Sequence, residues 1–396
     1  MNITLMGCGS GAPEDLTFEA RETLQKAELV LGAERLLKGL AACISGRSEA
    51  MTRPGEIVTR LKSCGCGHAA VVLSGDSGFY SGAAGLLEGL RGAGLEARVL
   101  PGISSLQLLS AGLGRPWQDW VLCSAHGVDC DPVWAVSRGK PAFFLTGGQR
   151  DPAHLCGLLR DAGLGRLPVT VGEDLGTEGE RITAGTAAEF ASRRFSPLSV
   201  LLCEAAPVCP RRAPGIPDGE FLRGKTPMTK QPLRALILSE LGVSPGDLCW
   251  DIGAGTGGVS VELALQGRQV WAVERDPEAL DLLRANREKF CCWNLRVVPG
   301  AAPEALGALP KPDKVFVGGT GGHLREILEA ACSREPEAVS VSAILLETVQ
   351  GAVETLTALG YPPEVRQISV SAAKPTPAGH MLLAGNPVFL ITGRRP

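Results

Sequence analysis

Apolar and polar positions follow one another along this chain in short blocks. Runs of β-branched and other apolar residues at 3–6, 71–74, 98–100, 142–145, 169–171 and 200–202 are separated by stretches of helical periodicity. Short apolar runs divided by helix-length segments predict α/β layering with parallel strands across the first half. The pattern then breaks. Pro207, Pro210, Pro214 and Pro217 fall within eleven residues, and proline fixes φ and removes a backbone donor, so neither a continuous helix nor a central strand can cross them. A second series begins afresh beyond the prolines. Runs at 248–252, 269–273, 295–298, 314–317, 339–346, 365–370 and 388–392 read as seven strands, which suits a doubly wound, Rossmann-like sheet. The predicted division is a first domain over 1–206, a linker over 207–216 and a second domain over 217–396. The halves do not repeat each other in sequence, so the chain reads as a fusion.

Composition narrows the class. A length of 396 residues fits two domains at about 100–200 residues each. An apolar fraction of 44%, charged residues at 20%, 51 Gly and 28 Pro describe compact, turn-rich material. A net charge of −3 without clustered Lys and Arg gives no footprint for nucleic acid. The first residues lack a basic region followed by a long apolar stretch, and no apolar run approaches the roughly 20 residues of a membrane span. A cytoplasmic protein is the expectation. The 13 cysteines contain no C-x-x-C pair and read as small buried hydrophobes rather than a disulfide frame. Cys64-Gly65-Cys66-Gly67-His68 is spaced too tightly for a zinc knuckle and reads as a loop, so no metal is expected.

The candidate chemistry lies in glycine turns that follow strands. In the second half, Asp251-Ile252-Gly253-Ala254-Gly255-Thr256-Gly257-Gly258 joins an apolar strand to a helical pattern. Such a turn lets backbone and ligand approach without Cβ interference. It fits both G-x-G-x-G and G-x-G-x-x-G, so a nicotinamide dinucleotide competes with S-adenosylmethionine as its ligand. Glu274 ends the next strand at the offset of a carboxylate gripping a ribose diol, which suits either. Asp251 would repel a pyrophosphate but complements the ammonium of a methionine moiety, and this tips the choice to the methyl donor. Without a ligand, Asp251 would simply tie down loop amides. Asp276-Pro277 reads as an N-cap with Pro at the first helical position. In the first half, three turns follow short strands: one at 7–13, one around Gly75-Asp76-Ser77-Gly78, and one around Gly102-Ile103-Ser104-Ser105. No G-K-[ST] follows the first, which removes a P-loop.

These segments carry two resemblances. The three turns, with Ala125-His126-Gly127 and the residues 171–176, resemble the precorrin C5-methylating branch of the tetrapyrrole methylase family over about 1–205. The resemblance implies a two-lobed α/β domain holding its donor at Gly75, Asp76, Gly78, Ser104 and Ser105, with the opening loop toward the tetrapyrrole. That loop reads Gly-Ser-Gly-Ala-Pro where the family more often has Gly-Pro-Gly-Asp-Pro. Asp76 could equally serve its own turn, and His126 could be a turn histidine. In the second half, the segments 227–230, 251–258, 302–306, 317–322, 343–348 and 386–388 resemble the decarboxylating precorrin methyltransferase domain of cobalamin synthesis over 215–396. The resemblance implies donor contacts at Thr229, Gly253, Ala254, Gly255, Thr256, Gly257, Glu274 and Ala302.

Together the resemblances imply methylation of precorrin-6Y, or its cobalt or reduced counterpart, at carbons 5 and 15, with loss of the ring-C acetate carboxyl. One S-adenosylmethionine site per domain and a homo-oligomer are the further family expectations. Methyl transfer from a sulfonium needs chiefly alignment, and decarboxylation can use the conjugated macrocycle as electron sink. The amides of Gly318, Gly319 and Thr320, on a strand end, are candidates for meeting a carboxylate, and His380 is a further catalytic candidate. Lys230, Arg234, His323 and Lys374 are further candidates, although Lys230 and Arg234 read equally well as solvated helix charges. The competing functions are a nicotinamide-dependent oxidoreductase and a non-catalytic tetrapyrrole-binding scaffold.

Overall fold

The computed structural model describes residues 1–127, 130–209 and 214–396. Residues 210–213 of the proline-rich linker therefore lie outside the described residues. Two compact units emerge, one of residues 1–136 and 140–206, the other of 137–139 and 207–396.

The first unit contains two five-stranded sheets. β1 (Asn2–Gly7), β2 (Leu29–Gly32), β3 (Arg47–Ala50), β4 (His68–Leu73) and β5 (Ala97–Leu100) form an all-parallel sheet in the order β3-β2-β4-β1-β5. The strands bearing the three glycine turns are thus neighbours, and their turns share one edge. Backbone packs on backbone there: a Cβ on Gly102 would lie 2.4 Å from the Gly75 carbonyl oxygen and 2.5 Å from the Gly7 carbonyl carbon. The second sheet departs from the parallel expectation. β6 (Val121–Ser124) and β7 (Ala142–Leu145) run parallel, but β10 (Ser199–Cys203) is antiparallel to both β7 and β8 (Pro168–Glu173), and β9 (Arg181–Thr186) is antiparallel to β8. The segment between β8 and β9 is too short for the crossover helix that a parallel pair requires. β3 and β9 carry little apolar signal because they are edge strands with exposed positions.

The second unit is built on one seven-stranded sheet. Its strands are β11 (Leu248–Ile252), β12 (Gln269–Glu274), β13 (Leu295–Pro299), β14 (Lys314–Val317), β15 (Ala338–Ala343), β16 (Pro363–Ile368) and, after a separate hairpin of β17 (Ser371–Thr376) and β18 (Gly379–Ala384), β19 (Val388–Arg394). The order is β13-β12-β11-β14-β15-β19-β16, with only β19 antiparallel to its neighbours. Alternate residues feed two cores. Cys249 and Phe316 pack into one; Leu248, Trp250, Ile252, Val315 and Val317 pack into the other. Both faces are buried, as a doubly wound sheet requires. β15 ends at Ala343 rather than at 346, because the helix Leu346–Ala358 begins there. Ile344, Leu345 and Leu346 are left 66%, 60% and 67% exposed. The hairpin was not foreseen and places Met381 and Leu382 on the surface.

All 13 cysteines are free thiols. Among the described residues there is no cluster able to hold a metal and no helix long and apolar enough to cross a membrane.

Candidate functional site

In the second unit the glycine turn leaves β11 and enters the helix Gly258–Gln266. Its glycines answer different demands. Gly253, at φ 71°, lies against β14's exit, where a Cβ would come within 2.6 Å of the Gly319 amide nitrogen and carbonyl oxygen. Gly257, at φ 84°, makes room for Leu283, whose Cδ1 would lie 2.3 Å from a Cβ. It serves helix packing and does not line the cleft. That cleft, about 60 Å³, is lined by Thr229, Asp251, Gly253, Ala254, Gly255, Thr256, Gly318 and neighbours.

Its floor is polar and unsatisfied. Asp251 is 1% exposed; its Oδ2 accepts a hydrogen bond from Ser260 Oγ, whereas Oδ1 has no partner, and neither has the buried Oγ1 of Thr256. Burial pushes the Asp251 carboxyl up to about 7, against the opposing pull of the Ser260 bond, with the charge on Glu274 adding to the rise. An uncompensated buried oxygen is costly. A cationic or hydrogen-bonding ligand would remove that cost.

Glu274, at the end of β12, is already engaged. Its Oε2 accepts from the Gly255 amide at 2.7 Å, and Oε1 from the Arg275 and Asp276 amides at 2.8 and 2.9 Å. The carboxylate orders the glycine turn and keeps an acceptor site on Oε2 for a ligand hydroxyl. Ala302 follows β13, beside the strand end at which the Gly300 amide donates to the Glu274 carbonyl at 2.9 Å, but it does not line the cleft.

Several expected placements need correction. The amides of Gly318 and Gly319 are not bare: both donate to the Ile252 carbonyl, at 2.8 and 3.4 Å, because the turn after β14 closes onto β11. Only Thr320, Gly321 and Gly322 lie outside that pairing. His380 and Lys374 sit on the exposed hairpin, and neither joins the residues lining the cleft. Arg234 is not a solvated helix charge. It is fully buried, with Nε 2.8 Å from Glu262 and Nη1 2.8 Å from Asp218, and it donates to the carbonyls of Thr229 and Ile216. Lys230 remains on the surface, 4.0 Å from Asp218. His323 stands at the start of the helix Leu324–Cys332 without a side-chain capping bond. Arg275 was missed. Its guanidinium lies over Gly321, 3.1–3.3 Å from where a Cβ would stand, and among the described residues it has no ion-pair partner. An arginine directly after the ribose-type carboxylate was the available signal.

In the first unit a cavity of about 380 Å³ opens at the shared edge of the glycine turns. Gly75, Asp76, Ser104 and Ser105 line it, with Arg35, Tyr80, His126 and Asp174. Gly78 does not; its amide donates to Asp76 Oδ1 at 2.8 Å, while the Gly102 amide donates to Oδ2 at 3.0 Å. Asp76 thus clamps the second turn to the third. In the opening turn, Asp15 supplies an acid: its Oδ2 accepts from the Ser10 amide at 3.1 Å and from Ser10 Oγ at 2.6 Å.

Comparison with known proteins agrees with this two-part construction. Residues 2–191 match the tetrapyrrole (corrin/porphyrin) methylases, and residues 220–392 match the precorrin methyltransferase domain. A Sinorhizobium protein named precorrin-6Y C(5,15)-methyltransferase [decarboxylating] is 36% identical over 342 residues, covering 83% of this chain and 81% of its own. The cobalt-precorrin-6B C(15)-methyltransferase (decarboxylating) of Salmonella typhimurium is 42% identical over 44% of this chain and 93% of its own. A solved precorrin-6Y C5,15-methyltransferase structure from Geobacter metallireducens is 39% identical, covers 46% of this chain and 99% of its own, and superposes with a TM-score of 0.45. None of these relatives is named as a nicotinamide enzyme. On the strength of the relationship over 83% of its length, the chain belongs to the precorrin-6Y C5,15-methyltransferase (decarboxylating) family.

Proposed function

We propose that this chain is a bifunctional, S-adenosylmethionine-dependent methyltransferase of cobalamin biosynthesis acting on precorrin-6Y or its cobalt or reduced counterpart. The first unit methylates carbon 5, and the second methylates carbon 15 and releases the ring-C acetate carboxyl as carbon dioxide. The observation that carries this reading is the presence of two separate glycine-built clefts, one in each unit, each with its own polar anchors. The separate family matches of the two halves, and the C(15)-methyltransferase (decarboxylating) relative that covers 44% of the chain, support a division of labour.

S-adenosylmethionine supplies an electrophilic methyl group in both units, and the methyl transfer itself needs chiefly positioning. In the second unit, Asp251 and Thr256 have the unsatisfied oxygens suited to the donor's ammonium end, and Glu274 Oε2 has an acceptor site suited to a ribose hydroxyl. Arg275, above Gly321, is placed to receive a carboxylate of the macrocycle, and an arginine fork matches a carboxylate bidentately. The apolar surface at Ile344, Leu345, Met381 and Leu382 supports association with further copies of the chain. The cytoplasm suits such an enzyme.

The direct test is mass spectrometry of products formed from candidate precorrins and labelled donor, with two methyl gains and one loss of carbon dioxide expected. Glu274→Ala should weaken donor binding in the second unit by about one to two orders of magnitude, since charge-assisted bonds contribute about 1.5–3 kcal/mol. Carbon-15 methylation should then fall at limiting donor while carbon-5 methylation survives; equal loss of both in folded protein would sink the two-site reading.

Asp251 makes the same site sensitive to pH. With its carboxyl pushed up to about 7, Asp251 gains a proton progressively below that pH in the free protein and must shed it to pair with an ammonium group. Donor affinity in the second unit should therefore fall as pH drops from 7 to 5.5, by about tenfold per unit at most. Asp251→Asn should bind more weakly and lose that dependence. Calorimetric titration at several pH values reads both, and a flat profile in the unaltered protein would remove Asp251 from the site.

A further inference from the structure

Carbon-5 methylation leaves one chemical requirement that alignment alone does not meet. When the meso carbon attacks, a C–CH₃ bond forms from the enamine electron pair, the CH₃–S bond breaks, and its electrons neutralise the sulfonium. The macrocycle is left one positive charge richer, with a hydrogen still on carbon 5. Loss of that proton returns the C–H electron pair to the conjugated system and restores neutrality. A basic side chain at the first-unit cavity would speed that loss.

The side chains lining the cavity that can titrate are Arg35, Asp76, Tyr80, His126 and Asp174. Arg35 is a cation and donates to the Ser10 carbonyl and to Ser74 Oγ. Asp76 has one loop amide on each oxygen. The Tyr80 hydroxyl donates to the Leu122 carbonyl at 3.2 Å, and burial raises the pH at which it ionises. His126 packs its ring against Gly147, with Nδ1 2.0 Å from the place of a Cβ there. Asp174 differs from Arg35, Asp76 and Tyr80 in keeping an oxygen uncommitted, and from His126 in being held by explicit contacts. Its Oδ1 accepts from Ser196 Oγ at 2.8 Å, and among the described residues Oδ2 has no hydrogen-bond partner.

The backbone points to the same residue. Only four non-glycine residues among those described have positive φ, and two of them, Tyr80 at 47° and Asp174 at 50°, line this one cavity from different sheets. Such conformations persist only where surrounding contacts hold them, and they concentrate at functional sites. Here the contacts are explicit. The Asp174 amide donates to the Leu198 carbonyl at 2.8 Å, and its own carbonyl accepts from the Thr177 amide at 3.1 Å and hydroxyl at 2.7 Å. The carboxylate is thereby fixed at the cavity wall with one oxygen uncommitted.

We propose that Asp174 is the catalytic base that takes the carbon-5 proton after methyl transfer, through Oδ2, and passes it to solvent. This rests on the assignment of carbon-5 methylation to the first unit. Asp174→Asn is the discriminating variant, because asparagine tolerates the left-handed conformation and can still accept from Ser196. In the full-length protein it should lower kcat for carbon-5 methylation by about 100-fold, within the usual range for general-base removal. Tetrapyrrole affinity, read by absorbance titration, and carbon-15 methylation should stay within about threefold of the unaltered protein. Asp174→Gly, which relaxes the backbone and removes the carboxylate, should be as slow as the asparagine variant.

Retention of rate by Asp174→Asn overturns the proposal and passes the role to His126 or water. A slow asparagine variant beside an active glycine variant overturns it in favour of a structural role, and loss of tetrapyrrole affinity in both makes Asp174 a binding group. Absence of carbon-5 methylation in the unaltered chain would instead refute the functional assignment on which the proposal rests.

Discussion

Arg234→Ala is expected to destabilise the second unit by about 3–5 kcal/mol, the usual consequence of removing one partner from a buried ion pair. The helix Gly258–Gln266 is buried along almost its whole length, and Glu262 on it is fully buried. Glu262 is tolerable there because Arg234 Nε and the amides of Gly215 and Ile216 engage both oxygens of its carboxylate, at 2.8, 2.6 and 3.1 Å. Phe221 lies 4.7 Å below the guanidinium. Alanine would leave Glu262 charged and short of its strongest partner, and would free the Thr229 carbonyl at the rim of the glycine cleft. Scanning calorimetry should show the loss in the unfolding of residues 214–396 and little change in the first unit. The double variant Arg234→Met, Glu262→Leu should recover much of the stability, since removing both charges removes the desolvation cost. A single variant as stable as the original protein would mean that the network contributes nothing.

Gly253→Ala should reduce donor binding in the second unit and carbon-15 methylation at least about 100-fold, because displacements of about 1 Å near a reacting centre cost that much. A methyl group there meets the Gly319 amide nitrogen, Cα and carbonyl oxygen at 2.6–2.7 Å, all backbone atoms held by the β11–β14 pairing. Neither side can yield without moving the floor of the cleft. Gly255→Ala is the informative comparison: its nearest neighbour would be the Thr226 methyl at 3.7 Å, so only the φ of 56° opposes it. Its effect should be distinctly smaller. Equal losses in titrations of the two variants would show that conformation matters there and contact does not.

Much of the second sheet could be read from sequence because buried parallel strands are continuous apolar runs: 248–252 and 314–317 coincide with β11 and β14. Where apolar residues serve another purpose, the reading overshot, as at 344–346, which are exposed. Edge strands such as Arg47–Ala50 left no apolar trace to find. The glycine turns were legible as turns, but their reasons were not. Gly257 answers to Leu283, a residue 26 positions away, and the pairing of Gly318 and Gly319 with Ile252 depends on sheet order. Arg234 illustrates the same limit. Charge on a helix looks solvated until the tertiary structure brings it a buried glutamate.

The position of β19 divides the second unit into parts of unequal permanence. β16 is hydrogen-bonded to β19 alone, and β19 fills the outer edge of β15. Release of β19 therefore strands β16 and the hairpin between them, while the five parallel strands carrying the glycine cleft keep their own pairings. Amide protons in β16 should consequently exchange with solvent at least as fast as those of β19, and the central strands β11 and β14 should outlast both.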